Sequence, residues 1–206
     1  MAEQQDQAKR ERILATVQAG GVGFVNLEFT DVVGMAKCVT IPVEQLPDCL
    51  IHGKWFDGSA IEGFARVAES DMYLFPDLDT FVILPGKIRP HEITTSLQPE
   101  LNDQFFEAGA VARIICDVRT PNGERFDGDP RATLINAIDL ANSMGFSFLV
   151  APELEFFLLH LEDDTPMPLP HDRGGYFDLS TDLAAAVRRQ MVQALQRMGI
   201  RIEASH

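Results

Sequence analysis

The stretch from Phe146 to Leu159 is almost wholly apolar, yet two glutamates, Glu153 and Glu155, stand inside it. Closed upstream by Gly145, such a run predicts a strongly apolar strand. Strand side chains alternate, so Glu153 and Glu155 would share one face while Leu154 and Phe156 enter the other layer. Two helices flank the run. One opens at Asp129-Pro130-Arg131, with Asp129 as N-cap and Pro130 at the first helical position, and should run to about Met144 with Leu134, Ile135, Ile138 and Ala141 on its apolar face. The other begins near Ser180, repeats Leu183, Val187, Met191 and Leu195, and ends at Gly199. One apolar strand and two amphipathic helices cannot bury each other on both sides. This half of the chain is therefore expected to be an incomplete α+β unit, ending at His206 inside a further strand.

The upstream half reads differently, as a small β-rich domain with a leading helix. That helix is expected over Asp6–Ala19, with Ile13, Leu14 and Val17 on one side and a stop at Gly20-Gly21. Strands are expected at Gly23–Phe29, Ala36–Ile41, Asp71–Leu74, Thr80–Leu84 and Ala110–Val118, with a short helix over Val43–Ile51. Trp55–Phe64 is Gly-rich and reads as irregular, and Pro85–Gly109 as a long loop or insertion. The pattern changes after the turn at Thr120-Pro121-Asn122-Gly123, which places the expected domains at 1–120 and 121–206.

Charge narrows the partners. Seventeen basic against thirty-one acidic residues leave a net charge of −14, which repels nucleic-acid phosphates and anionic lipid surfaces alike. No nucleic acid is expected as partner. Met1–Arg12 is charged and Gln-rich, unlike a signal peptide, and no apolar run is long enough to span a membrane, so no membrane association is expected. Cys38, Cys49 and Cys116 are odd in number and lack CxxC spacing, which points to reduced thiols and a cytoplasmic protein.

Several segments offer chemistry. A pair of carboxylates on one strand face is awkward unless a cation sits beside them, and carboxylate oxygens suit Mg²⁺ or Mn²⁺. The plainer reading of Glu153 and Glu155 is a wet, solvated face. In Trp55–Phe64, glycines beside Asp57 and Glu62 allow unusual backbone angles, and aromatic neighbours would raise a carboxylate's basicity, as suits a general base. The plainer reading is a turn-rich loop anchored by aromatics. Glu69-Ser70-Asp71-Met72 reads as a loop capping local amides. Tyr176, after Gly174-Gly175, is either a binding contact or core packing, and His52, His91, His160 and His171 have no partner at ligand spacing.

Taken in order, Phe56-Asp57-Gly58-Ser59, Glu69-Ser70-Asp71-Met72 with Pro76-Asp77, Asp129-Pro130-Arg131, Pro152-Glu153-Leu154-Glu155-Phe156-Phe157, Gly175-Tyr176-Phe177-Asp178 and Glu203-Ala204-Ser205-His206 resemble the successive landmarks of glutamine synthetase. The resemblance covers about Gly21 to His206. It implies an amino-terminal β-grasp-like domain followed by the first part of a catalytic domain, in a ligase that phosphorylates glutamate with ATP and lets ammonia displace the phosphate. It further implies two divalent cations, Mg²⁺ or Mn²⁺, with Glu153 and Glu155 each serving one. Asp57 would bind ammonium and take its proton, and Tyr176 would line the same pocket. The assembly implied is a ring-shaped dodecamer in which the aspartate loop of one subunit completes the site of the next.

The sequence departs from that pattern in places. Ala60 stands where many members carry a second serine, Phe64 where some carry tryptophan, and the stretch between Gly86 and Gly109 is longer than the family pattern. The pattern also continues beyond His206 to a further metal-binding glutamate, so the metal sites are expected to be incomplete here and the chain alone inactive. Two other readings differ in acceptor or in class. One is a γ-glutamyl-amine ligase, against which intact Asp57 and Tyr176 argue; the other is a non-catalytic assembly protein, against which the two retained glutamates argue.

Overall fold

The computed structural model describes residues 2–61, 71–85, 109–163, 165–169 and 184–205. They fall into two compact units, Met1–Phe148 and Leu149–His206.

The first unit is built on a six-stranded sheet. Helix α1 (Ala2–Ala19) leads into β1 (Val22–Thr30) and β2 (Ala36–Pro42), and a short 3₁₀ turn passes into α2 (Leu46–His52). Then come β3 (Lys54–Asp57), β4 (Asp71–Pro76), β5 (Val82–Ile83), β6 (Ala110–Arg119) and helix α3 (Pro130–Ser143). Strand order is β2-β1-β6-β4-β3, with β5 also on β6. The central pair, β1 and β6, is parallel, and the other pairs are antiparallel. The elements expected in this half agree with those observed, apart from shifted ends and one gain. Trp55–Asp57, expected to be irregular, belongs to an edge strand paired with β4.

Alternation explains the core. Val25, Leu27 and Phe29 of β1, Ala112, Ile114, Cys116 and Val118 of β6, and Met72 and Leu74 of β4 face one side of the sheet. Ile13 and Val17 of α1 and Leu46, Cys49 and Leu50 of α2 join them in one buried cluster. Burial pushes the Cys49 thiol up to about 11 and that of Cys116 well above its ordinary value, which leaves both as inert, protonated core residues.

Two buried aspartates hold the ends of this sheet. Asp31, at the β1–β2 turn, accepts from the backbone N–H groups of Val33 (3.0 Å) and Met35 (2.8 Å) on Oδ1 and pairs with Lys37 at 3.1 Å on Oδ2. Burial pushes its carboxyl up, but these bonds and the Lys37 charge outweigh that and hold it below the usual value. Asp129 caps α3 as expected, accepting from Arg131 N–H at 2.9 Å, and its other oxygen accepts from Val118 N–H at 2.9 Å. Its burial outweighs those bonds, and its carboxyl is raised.

The described part of the second unit holds fewer elements. Residues 149–158 form no ladder, β7 (Leu159–Glu162) and β8 (Thr165–Pro168) form a two-stranded hairpin, and α4 spans Ala185–Arg197. The strand expected over Phe146–Leu159 is thus absent except for its last residue. A strand needs a neighbour's backbone as well as an apolar sequence, and the described residues offer this segment none. Residues 201–205, expected as the start of another strand, also carry no ladder. The segment 86–108, expected as a loop, lies outside the described residues.

Candidate active-site loop

Asp57 owes its place to Gly53. The Gly53 N–H bonds back to Cys49 at 2.9 Å and ends α2, and its φ of +75° turns the chain into β3. A Cβ there would lie 2.9 Å from the carbonyl oxygen of Leu74, so no side chain fits. In β3, Phe56 enters the core with its ring 5.1 Å from that of Phe29, and Trp55 and Asp57 take the opposite, exposed face. Packing of Phe56 therefore decides which way Asp57 points.

Across the ladder Trp55 faces Tyr73, and Asp57 faces Asp71. Two like charges opposite each other at the exposed end of a ladder are unfavourable without water or a cation between them. Among the described residues, Ser59 holds the Asp57 carboxylate: Oδ1 accepts from the Ser59 N–H at 2.9 Å and from its hydroxyl at 2.6 Å, opening the 3₁₀ turn Gly58–Ala60. Oδ2 accepts no hydrogen bond among the described residues. An oriented carboxylate with one free oxygen can hold a small cation and accept a proton from it.

Glu153 and Glu155 are both exposed, and neither makes a hydrogen bond or ion pair among the described residues. Without a ladder, the shared strand face expected for them has no basis in the structure. Their hard, unengaged oxygens fit the chemistry of Mg²⁺ or Mn²⁺. The described residues contain no group of three or more His, Cys, Asp or Glu placed to hold a metal. Tyr176, Glu62, Phe64 and His206 lie outside the described residues. Asp71 begins β4, where a strand is expected, and Glu69 and Ser70 of the expected capping loop lie outside the described residues.

One cluster has no counterpart in the sequence pattern. Arg131 Nε donates to Asp117 Oδ1 at 2.8 Å, and its guanidinium also pairs with Asp77. Together with Asp129 on Val118, it ties the start of α3 to the end of β6 and to the turn after β4. The partners lie 14 and 54 residues away in sequence, and no local pattern announces them. Ser59 was more accessible, since Asp-x-Ser spacing is a recognised turn signal.

Two family models match in tandem: "Glutamine synthetase, beta-Grasp domain" over residues 21–121 and "Glutamine synthetase, catalytic domain" over residues 127–206. The chain belongs to the glutamine synthetase family. The glutamine synthetase of Methanosarcina mazei is 45% identical over 199 residues, covering 96% of this chain and 40% of that protein. That of Halobacterium salinarum is 42% identical over 196 residues, covering 94% and 39%. That of Staphylococcus aureus is 44% identical over 200 residues, covering 96% and 41%. The chain thus spans about two fifths of the length of these curated glutamine synthetases. Among solved structures, the cryo-EM structure of Plasmodium falciparum glutamine synthetase superposes with a TM-score of 0.65 at 16% identity, covering 98% of this chain and 41% of that one. A GmaS/ADP complex superposes with a TM-score of 0.58 at 20% identity, covering 91% and 38%. At these identities the likeness is one of fold. Within the glutamine synthetase match, Asp57 falls in the β-grasp model, and Glu153, Glu155 and Tyr176 fall in the catalytic one. No helix among the described residues is long and apolar enough to cross a membrane.

Proposed function

We propose that this chain supplies the acceptor-binding loop and the first metal-binding glutamates of an ATP-dependent glutamate–ammonia ligase. The observation that carries the reading is the Asp57 carboxylate, fixed on one oxygen by Ser59 and free on the other among the described residues, in a chain that matches both domains of the family. In the reaction, the side-chain carboxylate of glutamate takes the γ-phosphoryl group of ATP. Nitrogen then attacks the acyl phosphate, phosphate leaves, and glutamine forms.

Asp57 has two tasks in this scheme. Its free oxygen holds ammonium by charge, and it then takes the proton that ammonium must lose before its lone pair can attack. Tyr176 lines the same pocket. Glu153 and Glu155 would each hold one of two divalent cations, Mg²⁺ or Mn²⁺. When bound, such cations neutralise phosphate charge during phosphoryl transfer. The domain 1–120 carries the acceptor loop, and 121–206 carries the glutamates. The protein works in the cytoplasm as a ring-shaped dodecamer, with Asp57 of one subunit completing the site of the next.

Two experiments on the complete protein test this reading. Glu155→Ala should sharply weaken Mn²⁺ binding in calorimetry, and unchanged affinity would remove its metal role. Asp57→Ala subunits mixed with Glu153→Ala subunits should recover part of the activity in mixed rings. Co-assembled mixtures with no recovery would end the shared-site model. The 206-residue chain alone should show no ATP-dependent γ-glutamyl transfer, because only two of the metal ligands are expected in it.

A further inference from the structure

Among the described residues, the hydrogen bonds that orient the Asp57 carboxylate all come from Ser59. Both bonds end on the same oxygen, Oδ1: the backbone N–H at 2.9 Å and the hydroxyl at 2.6 Å. The second has the length of a charge-assisted hydroxyl–carboxylate bond, which is stronger than a neutral one. A single N–H donor would let the carboxylate rock about its last torsion and exchange its two oxygens. A second donor on the same oxygen removes that freedom and holds Oδ2 outward. Gly58, Ala60 and Ile61, the rest of the turn, carry no hydroxyl or other polar side chain to take over.

We propose that Ser59 is a positioning residue for the acceptor step: its hydroxyl locks the Asp57 carboxylate in the one orientation that presents Oδ2 to the incoming ammonium ion. The proposal rests on the reading of Asp57 as the acceptor-binding group and adds to it the residue that makes that group effective. Holding a catalytic carboxylate in place before the acceptor arrives removes an ordering cost that binding would otherwise carry.

Nature has placed a reporter beside the loop. Trp55 is the chain's one tryptophan, it is half-exposed, and it shares a strand face with Asp57 two residues away. On a strand that separation is about 7 Å. With any tryptophan outside this chain replaced by phenylalanine, Trp55 emission reports whether the loop keeps its place in each variant, independently of turnover.

The test uses the complete protein in its native assembly, with ammonium varied at saturating ATP and glutamate. Ser59→Ala should raise the KM for ammonium about tenfold, as loss of one charge-assisted bond implies, and leave the KM values for ATP and glutamate within about twofold. Ser59→Thr, which keeps the hydroxyl, should lie near the wild type, while Ser59→Val, of the same shape without it, should behave like Ser59→Ala. In an Asp57→Asn background, Ser59→Ala should add nothing, because its effect passes through the carboxylate. The proposal is overturned if Thr and Val variants are alike, or if the full Ser59→Ala effect persists beside Asp57→Asn. Should Ser59→Ala shift the resting Trp55 emission, the Thr–Val comparison decides alone. If Asp57→Asn itself leaves ammonium kinetics unchanged, the reading of Asp57 falls, and that result is distinct from a failure at Ser59.

Discussion

Val25 and Leu27 in the first unit are fully buried, whereas Leu149 and Phe157 in the second lie 90% and 95% exposed. The four residues are equally apolar, so the contrast comes from their surroundings. In the first unit β1 lies between β2 and β6, and α1 and α2 add apolar side chains to the cluster on its inner face. The described part of the second unit offers one two-stranded hairpin and one helix. An isolated hairpin is marginal in water, and two elements make no closed layer pair. Hydrophobicity belongs to a residue, but burial belongs to a set of partners.

The sharpest way to break this contrast is to truncate matched leucines. Leu27→Ala should cost about 2–5 kcal/mol in urea denaturation followed by Trp55 fluorescence, and Leu149→Ala less than about 0.5 kcal/mol. Equal losses would mean that the second unit has a core of its own. Next comes the tie between β6 and α3. Asp129→Ala removes the α3 cap and orphans the Val118 N–H, with an expected loss of about 1–3 kcal/mol by the same assay. A loss confined to a few tenths would show that α3 does not depend on this clasp.

A smaller effect should appear only in acid. Asp31 has a lowered carboxyl pKa, so its contribution is complete above the ordinary value of 3.8 and is lost as pH falls through the lowered one. The stability gap between the wild type and Asp31→Asn should be constant from about pH 5 to 7 and close below that ordinary value. A gap that widens in acid would reverse the sign assigned here. The smallest change in stability is expected for Phe157→Ser, within about 0.5 kcal/mol. Light scattering should nonetheless show less self-association, because an exposed apolar ring is removed.

The first unit was largely legible because its signals are local. Asp129-Pro130 announces α3 through cap chemistry, Gly20-Gly21 ends α1, and alternation from Val22 to Phe29 marks β1. The edge strand at Lys54–Asp57 was missed because its glycine-rich continuation suggested an irregular loop, and pairing with β4 decided otherwise. The opposite holds at Phe146–Leu159, where apolar composition predicts a strand but a ladder needs a partner strand as well. Site residues divided in the same manner. Asp57 stands out by its neighbours in sequence and Asp-x-Ser spacing hints at Ser59, but which carboxylate oxygen Ser59 engages and the closure of Arg131 on Asp77 and Asp117 are decided by the tertiary structure.

By itself, the sequence determined the family, the order of motifs and most element types, since caps, turns and periodicity act between residues only a few positions apart. Tertiary structure alone decided which apolar residues are buried, which face of β3 carries Asp57 and which carboxylate oxygen is free. Those outcomes depend on contacts between distant segments: Phe56 packing on Phe29 turns Asp57 outward, and no rule of local spacing contains that contact.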